Sequence, residues 1–445
     1  MSSTIATKYA SILEKLIASG QGGIKKNMPS EIGLKRTRDL LERIIGDKTQ
    51  LKRLGDKVVH VVGTNGKGSV AWKTANTLVK NGLCKNVGLY TSPHLLSVRE
   101  RIRVNGQMIG MTHFIDLAEE VLAAASGSDS SYFELMTCMA VSHFARTDCD
   151  ALVLEAGMGG KGDSTNLLDS SRVVALTSIG LDHTAVLGST TDLICREKIG
   201  VVKTGSKVIV GPGVSTGLDS LIHEICVANG ASSITRILPT QAMPTLFEYD
   251  LENERVARAC VQEFSSTNLQ MDTTRPRCRL EIVLDEHSNK QVILDVGHNP
   301  AALSYVIKSI NQRFTERKGG LVFSIAADKD VKGCVNALLW YPWKRIEFTT
   351  FPSGEKGRRF TEPKTLAGLA KASSVTSSQI GFQSNLRTAI RTLLNDDEID
   401  FILVCGSHAL MADALRETSS FTNFTKEFID PFDMNERGAK DVIIT

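Results

Sequence analysis

The sequence of 445 residues lacks the features that would assign it to a membrane or nucleic-acid class. It contains no run of about 18 consecutive apolar residues, the length from which a membrane-spanning helix is predicted. Lys and Arg number 52 against 49 Asp and Glu, and a formal net charge of only +3 predicts neither a nucleic-acid partner nor an anionic membrane surface. Apolar residues at 42% and charged residues at 23% are typical of a globular protein with a sizeable core.

The nine cysteines also lack the close spacing of CxxC redox or zinc motifs. Their odd number and wide scatter indicate reduced thiols, which favours the cytosol. The N-terminal segment has no apolar core of a secretory signal and has the pattern of an amphipathic helix. We therefore expect a cytoplasmic protein, with a mitochondrial location as the alternative.

Strand-like segments rich in β-branched residues alternate with helical segments along most of the chain. Strands are predicted at residues 57–62, 86–90, 150–154, 172–179, 279–284, 291–296, 320–326, 345–351 and 400–405. This alternation predicts parallel sheets with crossover helices. A polar segment that ends in Arg275-Pro276-Arg277 is typical of a linker. The expected domains are residues 1–270 and 279–445, with residues 271–278 as the linker.

The first predicted strand runs into a glycine-rich loop and then into a helix. The loop, which we call the phosphate loop, reads Gly63-Thr64-Asn65-Gly66-Lys67-Gly68-Ser69. Glycines let backbone N–H groups turn toward phosphates, and the helix N-terminus adds partial positive charge. Lys67 can reach the outer phosphates of a nucleoside triphosphate. The strict P-loop pattern fails, because Val61 occupies the first glycine position and Gly68 follows the lysine. A glycine-rich turn with a surface lysine is the alternative.

The alternation of strands and helices, together with this loop, predicts the fold class. We expect an α/β protein in which an N-terminal P-loop-type parallel-sheet ATPase domain is joined by a hinge to a smaller Rossmann-like α/β domain.

Two other predicted strands lead into side chains that can bind a metal ion. Glu155 ends one apolar strand, and His183 follows another. In an open parallel sheet these ends meet at the edge that carries the phosphate loop, where a Mg²⁺ ligand would sit. A salt-bridged structural glutamate and a core or capping histidine are the alternatives. Glu134 fits a capping box with Ser131, which outweighs a catalytic role.

Eight motifs in this order resemble the Mur ligase superfamily, and within it the folylpolyglutamate synthase and dihydrofolate synthase branch. The resemblance covers about residues 31–410. The motifs are residues 63–69 (GTNGKGS), 91–95 (TSPHL), 100–106 (ERIRVNG), 154–160 (LEAGMGG), 180–183 (GLDH), 197–198 (EK), 295–300 (DVGHNP) and 328–330 (DKD).

The resemblance implies that residues 63–69 bind ATP, with Lys67 on the outer phosphates as a catalytic group. It also implies a metal site in which one Mg²⁺ is bound by three side chains, Ser92, Glu155 and His183.

Lys198 and Phe133 acquire roles through the same resemblance. Lys198, which would ordinarily be solvated, matches a lysine that the family carries as a carbamate and would bind a second Mg²⁺. Phe133 would stack on a pterin, with a core position as the alternative.

In the second domain, the same resemblance implies that Arg279 and Asp295 approach ATP. His298 would serve catalysis and substrate binding, and Ser407 would contact the incoming amino acid. Asn299 before Pro300 also reads as a plain helix N-cap.

Three positions depart from the family pattern. Lys161 stands where arginine is usual, so a bidentate contact becomes a single point charge. Residues 275–279 replace the common Trp-Pro-Gly-Arg linker with a longer one, which leaves the alignment of Arg279 open by one or two positions. His408 replaces an apolar or aromatic residue.

The implied activity is an ATP-dependent ligase that adds L-glutamate to the carboxylate of a reduced folate or of dihydropteroate through an acyl phosphate. The enzyme would use ATP as a substrate and Mg²⁺, expected as two ions, as its cofactor. It would be a monomer without nucleic-acid or membrane partners. A muropeptide-type amide ligase is one alternative, although residues 91–95 and the short N-terminal segment argue against it. A nucleotide-hydrolysing switch without ligase activity is another.

Overall fold

The computed structural model describes residues 3–20, 30–239, 248–267, 269–351, 359–373 and 380–418. The α-helices of this part of the chain are α1 Ser3–Gly20, α2 Ser30–Ile45, α3 Lys48–Gly55, α4 Lys67–Lys80, α5 Met111–Ala124, α6 Tyr132–Arg146, α7 Thr184–Leu187, α8 Thr191–Ile199, α9 Asp219–Ala228, α10 Glu248–Ser265, α11 Pro300–Arg313, α12 Val331–Leu338, α13 Pro363–Ala372, α14 Leu386–Leu394 and α15 His408–Glu417.

The strands are β1 Val58–Val62, β2 Val87–Tyr90, β3 Ile102–Val104, β4 Gln107–Met108, β5 Ala151–Glu155, β6 Val173–Ser178, β7 Lys207–Gly213, β8 Ser233–Arg236, β9 Glu281–Asp285, β10 Lys290–Leu294, β11 Gly319–Phe323, β12 Arg345–Thr349, β13 Ile380–Gln383 and β14 Phe401–Cys405. Each strand predicted from the sequence has a counterpart here, with small shifts at the ends.

The chain divides into two compact units, and the division falls between Arg275 and Pro276. The predicted linker, residues 271–278, is shared between the units. Met271 is buried in the first unit, where the backbone N–H of Asp272 donates to Oγ1 of Thr77 at 3.0 Å. The C-terminal part of the second predicted domain, residues 419–445, lies outside the described residues.

The first unit is built on an eight-stranded sheet with the order β4-β3-β2-β5-β1-β6-β7-β8. The six strands from β2 to β8 in this order are parallel, and β3 and β4 extend the sheet in antiparallel fashion. Val59 and Val61 of β1 pack in a core with residues of α4 and α10. Leu152 and Leu154 of β5 pack in another core with α1, α5 and α6. Helices therefore cover both faces of the sheet, as a parallel sheet requires.

The second unit is built on a six-stranded sheet with the order β13-β12-β11-β14-β10-β9, in which only β9 is antiparallel. The run β13-β12-β11-β14 has the 3-2-1-4 arrangement of a Rossmann-type sheet. The predicted α/β class, with a parallel-rich sheet in each unit, is confirmed.

No helix in the described part of the chain is both long enough and apolar enough to cross a membrane. None of the nine cysteines forms a disulfide.

Candidate nucleotide and metal site

Four neighbouring parallel strands bring the candidate residues of the first unit to one edge of the sheet. In the order β2, β5, β1, β6, their carboxyl ends lead to Ser92, Glu155, the phosphate loop and His183. The strand ends lie level, because Val61 pairs with Glu155 and Val62 pairs with Leu176. The topology thus places the candidate metal ligands on both sides of the phosphate loop.

The phosphate loop depends on two glycines with positive φ. Gly63 has a φ of +149° and Gly66 a φ of +84°, a left-handed conformation that an L-residue adopts only with strain. Gly66 is the N-cap of α4 and has no side chain to occupy the space above the first helical N–H groups. The loop is also tied to β6, since the N–H of Thr64 donates to the carbonyl of Ser178 at 2.9 Å.

Two lysine amines meet at the carbonyl oxygen of Gly63. Nζ of Lys67 donates to it at 3.0 Å and to the carbonyl of Thr64 at 3.1 Å. Nζ of Lys198 donates to the same Gly63 oxygen at 2.9 Å. Lys198 is only 4% exposed, so the expectation that an isolated lysine here would be solvated is wrong. Burial, reinforced by the charge of Lys67, lowers the pKa of Lys198 to about 7.

Glu155 lies beside the first turn of α4. Its side chain is 4% exposed, and its Oε2 accepts the backbone N–H of Ser92 at 3.0 Å. A Cβ placed on Gly68 would be 3.3 Å from both carboxylate oxygens. The glycine that breaks the strict P-loop pattern therefore leaves room for a carboxylate next to the phosphate loop.

His183 lies in a more open position than Glu155. Its side chain is 37% exposed, and its backbone adopts a left-handed φ of 52°. It stands at the N-cap of α7 without a side-chain capping bond, so a capping role is not observed. Three residues before His183, the N–H of Gly180 donates to Oγ1 of Thr64 at 3.1 Å. This hydrogen bond connects the segment that leads to His183 with the phosphate loop.

No group of three His, Cys, Asp or Glu side chains suited to a metal ion occurs among the described residues. The candidate set contains only two side chains of these types, Glu155 and His183, together with a serine hydroxyl. Its role as a metal site stays a prediction.

Sequence reasoning missed how the glycine-rich segment after β5 supports Lys198. A Cβ on Gly160 would overlap the carbonyl oxygen of Lys198, and the N–H of Lys161 donates to the carbonyl of Glu197 at 2.7 Å. Asp163 holds the start of this segment, because its Oδ2 accepts the N–H of Met158 at 2.8 Å. Burial raises the pKa of Asp163. The four glycines within residues 157–162 were the feature of the sequence from which a close backbone contact could have been predicted.

Lys161 occupies the position at which the family usually has arginine, and its side chain contacts α2. Its Nζ lies 3.1 Å from Oε1 of Glu31, and both side chains are exposed. The structure thus shows a surface ion pair at this position.

Phe133 and Glu134 have structural roles at the start of α6. The Phe133 ring packs on the apolar core, 5.9 Å from the Tyr90 ring, and lies where a Cβ on Gly157 would sit. Glu134 forms the predicted capping box with Ser131. It also pairs through both oxygens with Arg36, at 2.7 and 2.6 Å. The capping role of Glu134 is confirmed, and pterin stacking by Phe133 stays a prediction.

In the second unit, Asp295 follows β10 and is buried. Its two oxygens accept the N–H groups of Gly297 at 2.7 Å and Leu280 at 2.9 Å. Burial raises the pKa of Asp295, and the nearby charge of Arg279 opposes that rise. Cys278 and Leu280 both have positive φ, at 57° and 46°. Arg279 is thus held in a tight turn beside Asp295.

His298 and Ser407 follow the adjacent parallel strands β10 and β14. Nδ1 of His298 lies 2.9 Å from the carbonyl oxygen of Val296, which can only accept, so Nδ1 carries a proton in this contact. The rings of His298 and His408 have centroids 6.3 Å apart. Ser407 caps α15, and Asn299 caps α11 ahead of Pro300 as predicted.

Comparison with known proteins gives the same family as the motifs. A family model described as the Mur ligase, glutamate ligase domain matches residues 278–408. The chain is 27% identical over 428 residues to the dihydrofolate synthetase of Saccharomyces cerevisiae, covering 87% of this chain and 98% of the relative. It is 30% identical over 368 residues to the dihydrofolate synthase/folylpolyglutamate synthase of Buchnera aphidicola subsp. Acyrthosiphon pisum, covering 74% of this chain and 87% of the relative.

A solved structure of a bifunctional folylpolyglutamate synthase/dihydrofolate synthase, with Mn, AMPPNP and L-glutamate bound, is similar at 28% sequence identity and a TM-score of 0.71. The similarity covers 88% of this chain and 95% of that one. The resemblance inferred from the eight motifs is confirmed, and the chain belongs to the folylpolyglutamate synthase and dihydrofolate synthase family of the Mur ligase superfamily.

Proposed function

We propose that the protein is an ATP-dependent ligase that joins L-glutamate to the carboxylate of a reduced folate or of dihydropteroate. The observation that carries the proposal is the phosphate loop with the Glu155 carboxylate beside Gly68 and two lysine amines at the carbonyl oxygen of Gly63. Such a loop binds phosphates through backbone N–H groups and the positive end of α4. Membership of the family and the similarity to a structure with AMPPNP and L-glutamate bound support the same activity.

The donor atoms at the sheet edge fit a magnesium ion. Mg²⁺ prefers oxygen ligands and is usually bound by one or two carboxylates together with substrate phosphates. Glu155 offers a buried carboxylate beside the loop, and Ser92 is held next to it by a backbone hydrogen bond. We propose Ser92, Glu155 and His183 as the protein ligands. Bound Mg²⁺ would neutralise phosphate charge and favour transfer of the γ-phosphoryl group.

We propose a second Mg²⁺ with Lys198 as a carbamate ligand. Carbamylation joins the neutral amine to CO₂, releases one proton and replaces a cation with a carboxylate-like group. Lys198 is suited to it because its amine is buried next to Lys67, where a second positive charge is unfavourable. Gly160 packs against the backbone carbonyl of Lys198, so closely that a Cβ would not fit between them.

The proposed reaction begins with activation of the acceptor carboxylate, because hydroxide is a poor leaving group. The carboxylate oxygen attacks the γ-phosphorus of ATP, and ADP leaves. Lys67 stabilises the charge that develops on the outer phosphates. The amine of L-glutamate then attacks the acyl phosphate carbonyl, and the tetrahedral intermediate expels phosphate and leaves an amide.

We assign the residues of the second unit by the same reasoning. Arg279 and Asp295 bind ATP, His298 serves catalysis and binds the incoming glutamate, and Ser407 contacts glutamate in addition to capping α15. We also propose that the protein is a monomer and that it is located in the cytosol or in mitochondria.

Phosphate release from ATP tests the proposal when it is measured separately with dihydropteroate and with tetrahydrofolate, in each case with and without L-glutamate. We expect release that depends on glutamate and on at least one of the two acceptors. Lys67→Met should abolish it, and Lys85→Met, on the exposed loop before β2, serves as the control. Phosphate release without any acceptor would instead support a nucleotide-hydrolysing switch, and no stimulation by either acceptor would refute the folate assignment.

A further inference from the structure

Lys73 is a fully buried cation on α4, the helix that begins at the phosphate loop. Its side chain is 0% exposed, and its Nζ lies 3.3 Å from Oδ1 of Asp250 and 3.3 Å from the carbonyl oxygen of Thr274. A buried ammonium group is unfavourable unless it is paired and hydrogen-bonded. Lys73 therefore connects α4 firmly to the N-terminal part of α10 and to the end of the first unit.

Asp250 is partly buried and belongs to the same cluster of charged groups. Its Oδ2 lies 3.9 Å from Nε of Arg275, so two cations of the first unit face one carboxylate. Burial raises the pKa of Asp250, and the charge of Lys73 opposes that rise. The Asp250 carboxylate is thus partly shielded from water and lies close to the cations of Lys73 and Arg275.

Asn253 lies one helical turn after Asp250 on α10. Residues three apart lie on the same side of an α-helix. The side-chain oxygen of Asn253 occupies the space where a Cβ on Gly66 would be. The same side of α10 therefore carries the anchor to Lys73 and a direct contact with the phosphate loop.

From these contacts we propose that Lys73 and Asp250 are positioning residues for the nucleotide: their ion pair holds the start of α10 so that Asn253 supports Gly66 of the phosphate loop. Neither side chain needs to touch the nucleotide. The inference rests on the proposed nucleotide site and adds to it two residues that lie away from the loop.

The other end of α10 offers a matched control. There Nζ of Lys207 lies 3.1 Å from Oε2 of Glu263 and donates to the Glu263 carbonyl at 3.0 Å. Glu263 lies thirteen positions after Asp250 on α10, which is about 20 Å at the helical rise per residue. This ion pair also anchors α10, but far from the phosphate loop.

The test measures the dissociation constant of ADP with Mg²⁺ by calorimetry, and the unfolding midpoint, on the full-length protein. Lys73→Met leaves the Asp250 carboxylate without its buried partner and should reduce both affinity and stability. The double variant Lys73→Met/Asp250→Leu replaces the pair by apolar groups and should regain most of the stability. We expect the single variant and the double variant each to raise the dissociation constant of ADP at least tenfold. Lys207→Met should lower the midpoint and leave the constant within twofold of the unmodified protein.

Two outcomes would overturn the inference while leaving the nucleotide site intact. One is a double variant that binds ADP as the unmodified protein does. The other is a Lys207→Met variant that loses affinity as strongly as Lys73→Met, because α10 would then act only through general stability. If the unmodified protein itself binds no ADP, the proposed nucleotide site fails, and the inference fails with it.

Discussion

The two glycines at the ends of α4 allow the phosphate loop to be perturbed with a closely matched control. Gly66 precedes the helix with a φ of +84°, and Gly82 follows it with a φ of +63°. A left-handed conformation costs an L-residue about 1–2 kcal/mol, so alanine at either position should lower the free energy of unfolding by that amount. The two sites differ in their surroundings. A Cβ at Gly66 would overlap Oδ1 of Asn253, whereas a Cβ at Gly82 would meet nothing within 4 Å.

Gly66→Ala should therefore impair activity and Gly82→Ala should not. The new methyl group must displace the Asn253 side chain or the loop, and a misplacement of about 1 Å at a reacting centre can reduce the rate on the order of 100-fold. Urea unfolding gives the two stability losses, and glutamate-dependent ADP formation gives the two rates. A Gly66→Ala enzyme whose rate lies within threefold of that of Gly82→Ala would refute the assignment of this loop to ATP.

Three other predictions concern single side chains of the first unit. Burial lowers the pKa of His60 to about 3, below the 6.5 of an unfolded chain, so folding keeps the ring neutral. The stability that this provides is present above pH 6.5 and is lost as the pH falls toward 3, by up to about 1.4 kcal/mol per pH unit. Urea unfolding at pH 7.0 and 5.5 gives the decrease in the free energy of unfolding between the two pH values. This decrease should be smaller for His60→Gln than for the exposed control His223→Gln, and equal decreases would contradict a lowered pKa for His60. Lys198→Ala should abolish turnover and regain part of it with a short carboxylic acid such as acetate, whereas full activity without the acid would exclude the carbamate. Glu134→Gln should lower the free energy of unfolding by about 1.5–3 kcal/mol, since it weakens the paired bonds to Arg36, and should leave the KM for ATP unchanged. A large change in that KM would argue for a direct role at the nucleotide.

The buried parallel strands could be predicted because most of their residues carry the signal. All five residues of β1 and all five of β5 are buried, and in each strand four of the five are Val, Leu or Ala. Short strands at the sheet edge gave no such pattern. β4 has two residues, and β8 is largely exposed, so neither could be told from a loop.

The candidate site was predictable where its residues follow strands, because strand order then determines which of them share an edge. Burial of single lysines was not predictable in this way. Lys73 faces Asp250, and Lys198 faces the carbonyl of Gly63, and both partners are distant along the chain. A local pattern contains no information on such contacts, and only the resemblance to a family distinguished Lys198 from an ordinary surface lysine.

Isotope transfer tests the central claim, that the acceptor carboxylate is activated by phosphorylation. The acceptor carboxylate is labelled with ¹⁸O at both oxygens, and the phosphate released in the presence of ATP and L-glutamate is analysed by mass spectrometry. An acyl phosphate intermediate requires that one carboxylate oxygen leaves with the phosphate, so we expect one ¹⁸O atom in each phosphate formed. Phosphate without label, released while the amide is formed, would contradict the account.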